Sequence, residues 1–139
     1  MTWYYKTNPV TQESIDPNCI GFVYLITNTI VQKKYVGQKK FQFKTRKKAK
    51  GKRDKIKYVT SDWERYFGSN KELQEDVKKH GEEFFQREIL YFCYGKAEMN
   101  YLELKEQIIR NALLLPNEYY NSYLGGRISR SQIKKMIAI

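Results

Sequence analysis

With 139 residues, 15% of them aromatic and twelve of those tyrosine, the chain is large enough to bury one core and too aromatic to be disordered throughout. It has no run of about 18 apolar residues, and Met1-Thr2-Trp3-Tyr4-Tyr5-Lys6 lacks the apolar core of a signal peptide, so the expectation is a soluble, cytoplasmic protein that neither enters a membrane nor is secreted. Two isolated cysteines, Cys19 and Cys93, and a single histidine, His80, cannot make a four-ligand Cys/His zinc site. They also supply histidine-based hydrolysis poorly, which leaves Tyr, Lys, Glu or a metal-bound water as proton acceptor.

Residues 1–20, with Trp3, Tyr4, Tyr5 and the prolines at 9 and 17, read as an extension that packs its aromatics on the domain. From Phe22 to Gly37 the sequence predicts a β-hairpin: Phe22-Val23-Tyr24-Leu25-Ile26-Thr27, a polar connection, then a second strand over about Lys34 to Lys39. Phe22, Tyr24 and Ile26 share one face of the first strand and Val23, Leu25 and Thr27 the other, so that strand is expected to be central and covered on both sides. Gly37 removes a side chain where a ligand or backbone would approach closely.

The net charge of +11 is concentrated after this hairpin. Between Lys39 and Lys57 stand eleven Lys/Arg and one acid, Asp54, while the rest of the chain is close to neutral. A block of this density suits a polyanion, nucleic acid before lipid because no apolar face accompanies it. Phe41 and Phe43 alternate at its start, and Arg46 to Arg53 show no period and read as a solvent-exposed loop.

Thr60 to Trp63 then suggests the start of a helical turn ended by Gly68. Ser69 with Glu72 has capping-box spacing and precedes a short amphipathic helix over about 70–80, its end marked by Lys78, Lys79, His80 and Gly81. Phe84 to Phe92 is predicted as a third strand. A longer helix runs from about Ala97 to Leu114 and is stopped by Pro116. Its apolar arc is expected to hold Met99, Leu102, Ile109 and Leu113, extended by Tyr101, Leu104, Ile108 and Ala112, with Glu106 at the margin and Glu103 further toward solvent. Ser129 is placed to cap a short basic terminal helix.

In that order, Phe22-Val23-Tyr24, Tyr35-Val36-Gly37, the basic segment with its arginine, Lys79-His80-Gly81 before an aromatic strand, the helix with Glu106-Gln107, and Tyr120-Asn121 resemble the GIY-YIG nuclease family. Phe22 stands where the first motif has glycine. The family's arginine place holds Thr45, so Arg46 takes that role, with Lys44 as substitute.

The resemblance implies an α+β fold, a small, mostly antiparallel three-stranded sheet flanked by helices over residues 21–124, with a basic insertion at about 39–60 and a basic tail over 125–139. It also implies a metal-dependent DNA endonuclease of the phage or mobile-element kind, acting in the cytoplasm of a bacterial or phage-infected cell. The expected site is Tyr24, Tyr35, Arg46, Glu106 and Asn121. Glu106, with Glu103 as runner-up, would hold Mg2+ or another divalent cation such as Mn2+; Tyr24 would deprotonate or orient the water, Tyr35 would orient phosphate or water, and Arg46 would stabilise the anionic transition state. DNA would be gripped by Lys39, Lys40, Lys44, Arg46, Lys47, Lys48, Lys50, Lys52 and Arg53. A catalytically inactive nucleic-acid-binding module on the same scaffold is the alternative.

Overall fold

A computed structural model describes residues 2–47, 51, 55–125 and 128–137, excepting the side chains of residues 44–47, 55–57 and 134. In chain order the elements are β1 (Tyr4–Tyr5), β2 (Asn8–Pro9), β3 (Gly21–Asn28), β4 (Lys33–Lys40), β5 (Gln42–Lys47), β6 (Lys55–Thr60), α1 (Lys71–His80), β7 (Phe85–Cys93), α2 (Lys96–Ile109), β8 (Tyr123–Leu124) and β9 (Ile128–Ser129). The fold is α+β, built on a five-stranded sheet in the order β2-β1-β7-β3-β4. All its pairings are antiparallel except that of β1 with β7. The expected three strands are therefore one side of it, β7-β3-β4, and the N-terminal extension adds two more beyond β7.

β3 is central, and its alternating residues divide the core as the period of two requires. Phe22, Tyr24 and Ile26 pack on one side with Trp3, Phe41, Trp63, Leu73 and Tyr120. On the other side Val23, Leu25 and Val36 pack with Met99, Ala112 and Tyr119. Trp3 is 1% exposed, donates from Nε1 to the Trp63 carbonyl at 2.8 Å, and meets the Phe22 ring edge-on at 5.0 Å. Burial on this scale contributes about 1.5–3 kcal/mol for each large side chain, which is why the first strand needs cover on both faces.

Arg87, buried on β7, donates to the carbonyls of Glu64 and Tyr66 at 3.0 and 2.9 Å and lies over the rings of Trp3 and Phe67. Burial pushes its guanidinium down to about 10. This residue fastens the segment from 63 to 67, a single 3-10 turn followed by extended chain, to the sheet.

Several local expectations are corrected. The cap of α1 is Asn70, whose Oδ1 accepts from the Leu73 N–H at 3.0 Å, and not Ser69. α2 stops at Ile109 because Asn111 adopts a left-handed conformation, φ 54°, well before Pro116. Tyr101, Ile108 and Ile109 are exposed, so the buried arc of α2 centres on Met99 and Gln107. The basic segment does not begin as a loop: Arg46 and Lys47 lie in β5, which pairs antiparallel with β6 to form a separate two-stranded ribbon. Lys48, Lys50, Lys52 and Arg53 lie outside the described residues. After Ser129 the short helix is present as 3-10 helix over Arg130–Met136, broken at Ile133, and not as an α-helix among the described residues.

Candidate active site

β4 lies at the edge of the sheet, and its outer side is covered by the chain near residue 120. Lys34 donates its N–H to the Glu118 carbonyl and accepts from the Tyr120 N–H, both at 2.8 Å. Asn121 then reads the backbone of Val36 from both sides: Oδ1 accepts from Val36 N at 3.1 Å and Nδ2 donates to Val36 O at 2.8 Å. A single buried side chain thus continues the strand ladder at the middle residue of Tyr35-Val36-Gly37. Arg130 in turn ties down this segment by donating to the carbonyls of Leu113, Ala112, Tyr119 and Asn121.

Tyr24 and Gly37 are directly paired across β3 and β4. A Cβ at position 37 would stand 2.6 Å from Tyr24 Cζ and closer still to its hydroxyl. The close approach for which the glycine makes room is that of the Tyr24 ring. A register shift on β7 falls between Val23 and Tyr24, the kind of bulge that re-aims a side chain. Tyr24 is fully buried against the rings of Trp3, Tyr35 and Tyr66. Its hydroxyl faces the Tyr66 phenol without reaching hydrogen-bond geometry and has no other partner among the described residues. Burial, reinforced by Tyr35 and Tyr66, raises this phenol well above its ordinary pKa. That is opposite to the lowering that proton abstraction needs.

A cleft of about 1090 Å³ opens beside these residues. Tyr35, Gln38, Ser69, Asn100, Glu103 and Gln107 form its polar wall, and Leu104, Ile108, Tyr123 and Leu124 contribute an apolar one. The Tyr35 hydroxyl shares a 3.1 Å hydrogen bond with Ser69 Oγ, and burial pushes its phenol up to about 12. Gln38 Nε2 donates to Glu103 Oε2 at 2.6 Å and to Asn100 Oδ1 at 2.9 Å. Desolvation raises the Glu103 carboxyl, partly offset by the Gln38 donor.

Glu103 and Glu106 leave the same packed side of α2 in different directions. Glu103 reaches β4. Glu106 instead accepts from the Tyr91 hydroxyl of β7 at 2.9 Å and from Arg110 Nε at 3.1 Å, away from the cleft. The structure therefore brings Tyr35, Glu103 and the Asn121 clamp together, with Tyr24 behind them, and leaves Glu106 in an ion pair with a residue one turn on. Lys39 pairs with Asp62 at 2.7 Å and lies 4.1 Å over the Tyr66 ring; Lys40 is exposed. Arg46 and Lys44 sit on β5 opposite Ile56 and Tyr58.

Among the described residues no group of three or more His, Cys, Asp or Glu is placed to hold a metal ion. The donors do fit a hard cation held largely through water: Gln38 occupies one oxygen of a desolvated carboxylate, and neutral oxygens of Tyr35, Ser69 and Asn100 line the same wall.

Residues 3–124 match the family model described as "Putative endonuclease segE, GIY-YIG domain". The chain belongs to the GIY-YIG family, segE type. It is also 35% identical over 106 residues to "Putative endonuclease segE" of Enterobacteria phage T4, covering 76% of this chain but only 42% of that relative, so the chain spans less than half its length. No solved structure matches the chain.

Within this GIY-YIG domain, Phe22 occupies the first motif's glycine place as a core residue, its ring 5.0 Å from Phe41. Sequence pattern ranks Glu103 second and gives no signal for Gln38 or Ser69 as lining residues. An arc of α2 centred on its apolar residues omits Gln107, which is 4% exposed; including it turns Glu103 inward.

Proposed function

We propose that this domain is a metal-dependent DNA endonuclease that hydrolyses phosphodiesters in the cleft between β4 and α2, with Glu103 as the cation's carboxylate. The observation that supports the reading is that, of the α2 glutamates at 98, 103 and 106, only Glu103 lines the cleft that Tyr35 also lines. A bound Mg2+ or Mn2+ would supply neutralisation of phosphate charge and polarisation of a water. The remaining work falls to the chain. Gln38 fixes the Glu103 carboxylate, Tyr35, braced by Ser69, orients a phosphate oxygen or water as a protonated phenol, and Tyr24 backs it from the core. Asn121 is a positioning residue that acts through β4. Arg46 offers charge-assisted hydrogen bonds to phosphate, and Lys39, Lys40 and the ribbon lysines grip DNA without reading sequence.

Supercoiled plasmid with magnesium tests the assignment. Glu103→Ala should lower cleavage by about a hundredfold or more, as should EDTA, while Glu106→Ala stays within a few-fold of the parent. The reverse ranking would return the metal to Glu106. Salt-sensitive binding without cleavage of several DNA substrates would identify an inactive binding module instead.

A further inference from the structure

Gln107 is the buried polar residue of the cleft wall that no step above uses. It follows Glu103 by four positions on α2, so the two lie one above the other on the same helix face, and both line the cleft. It is 4% exposed, and its Oε1 has no hydrogen-bond partner. Every other buried side-chain oxygen or nitrogen among the described residues is satisfied, apart from the Tyr24 hydroxyl. An uncompensated acceptor on a well-packed helix stands out because a leucine of similar size would fill the same place without the cost.

We infer that Gln107 is a positioning residue for the cation: its amide oxygen accepts from a water of the hydration shell of the ion that Glu103 holds. This rests on the Glu103 assignment proposed above. A single carboxylate leaves most places around magnesium to water, and each such water presents hydrogens that need fixed acceptors. Gln38 Nε2 donates to Glu103 Oε2 and Asn100 Oδ1, and those bonds restrain the carboxylate without supplying an acceptor. Gln107 supplies one a turn away. Its terminal amide turns on a soft, roughly twofold torsion, so the oxygen swings toward a donor without moving the helix. An acceptor that is unpaired in the metal-free protein and paired in the loaded one is the arrangement that favours loading.

The test measures Mn2+ affinity by electron paramagnetic resonance of the free ion, without DNA, alongside thermal melting. Gln107→Leu should weaken Mn2+ binding about tenfold while leaving the melting temperature of the metal-free protein unchanged or higher. Gln107→Glu, which keeps an acceptor and adds charge, should bind Mn2+ at least as tightly as the parent. Unchanged affinity in Gln107→Leu overturns the inference, as does a lowered melting temperature with normal affinity, which would mark Gln107 as structural. Glu103→Ala separates the two layers. If it abolishes binding while Gln107→Leu does not, only the inference about Gln107 fails; if it leaves Mn2+ binding intact, the Glu103 site itself fails.

Discussion

Gly37 and Tyr24 are fitted to one another across two strands, and each is expected to resist change for a different reason. Gly37→Ala forces a methyl group into the Tyr24 ring, whose own position is fixed by Trp3, Tyr35 and Tyr66. The expected cost is about 1–3 kcal/mol by urea unfolding, since neither partner can move cheaply. Tyr24→Phe should go the other way. It deletes a buried hydroxyl that has no partner and keeps the ring that backs Tyr35, so stability should hold or rise by about 1 kcal/mol and cleavage should stay within a few-fold of the parent. A large loss of cleavage would assign the hydroxyl itself a part in the chemistry.

Glu103 carries a pH signature of the same kind. Its pKa is raised by desolvation, so the folded protein favours the protonated form. The stability this represents is fully present below the unfolded pKa and is lost as pH rises through the raised folded value. Glu103→Gln keeps an acceptor for Gln38 and removes the charge. Its melting temperature should therefore exceed the parent's at pH 7 in EDTA and converge with it at pH 3, and a constant offset would argue against the desolvated carboxylate.

At the scale of elements, the edge of β4 depends on Asn121. Asn121→Ala leaves the Val36 N–H and C=O unpaired in a buried place, a loss of about 2–4 kcal/mol, and should abolish the hydrogen-exchange protection of the Val36 amide. Protection that survives would mean the backbone of 118–120 holds the edge unaided. Elements are legible in the sequence where local pattern decides them. β3, β4, β7 and α1 follow from period, β-branched and aromatic runs, and Gly81. The end of α2 is not legible, since Asn111 in a left-handed conformation has no signal as strong as proline's. Nor is the inward turn of Glu103, because apolar residues alone define the expected arc and the helix buries a glutamine. β5 is hidden in the same way: after Phe43 the lysine-rich segment has no apolar alternation to announce that the strand continues to Lys47.

Over the whole molecule, the ribbon and the sheet are mechanically distinct. β5 and β6 pack chiefly on one another, while their root is fixed by Ser61 Oγ donating to the Lys40 carbonyl at 2.5 Å and by Phe41 in the core. Replacing residues 43–59 by a short turn should leave the melting temperature nearly unchanged and flatten the salt dependence of DNA binding, by about 0.9 in log–log slope for each phosphate that is no longer neutralised. An unchanged slope would place the DNA grip elsewhere. The extension at the other side is less dispensable. Trp3→Ala opens the core beneath Phe22 and Tyr24 and should cost about 3–5 kcal/mol.

Val36 and the asparagine that holds it are 85 residues apart. At about 5–20 residues per second, a ribosome that has just added Val36 needs several more seconds to add Asn121. Until then β4 has a bare edge and the cleft lacks the wall formed by Tyr120 to Leu124. The growing chain therefore displays its charge before it owns a finished cleft. A ribosome stalled short of that asparagine would leave behind a fragment that carries the basic ribbon on an unfinished sheet.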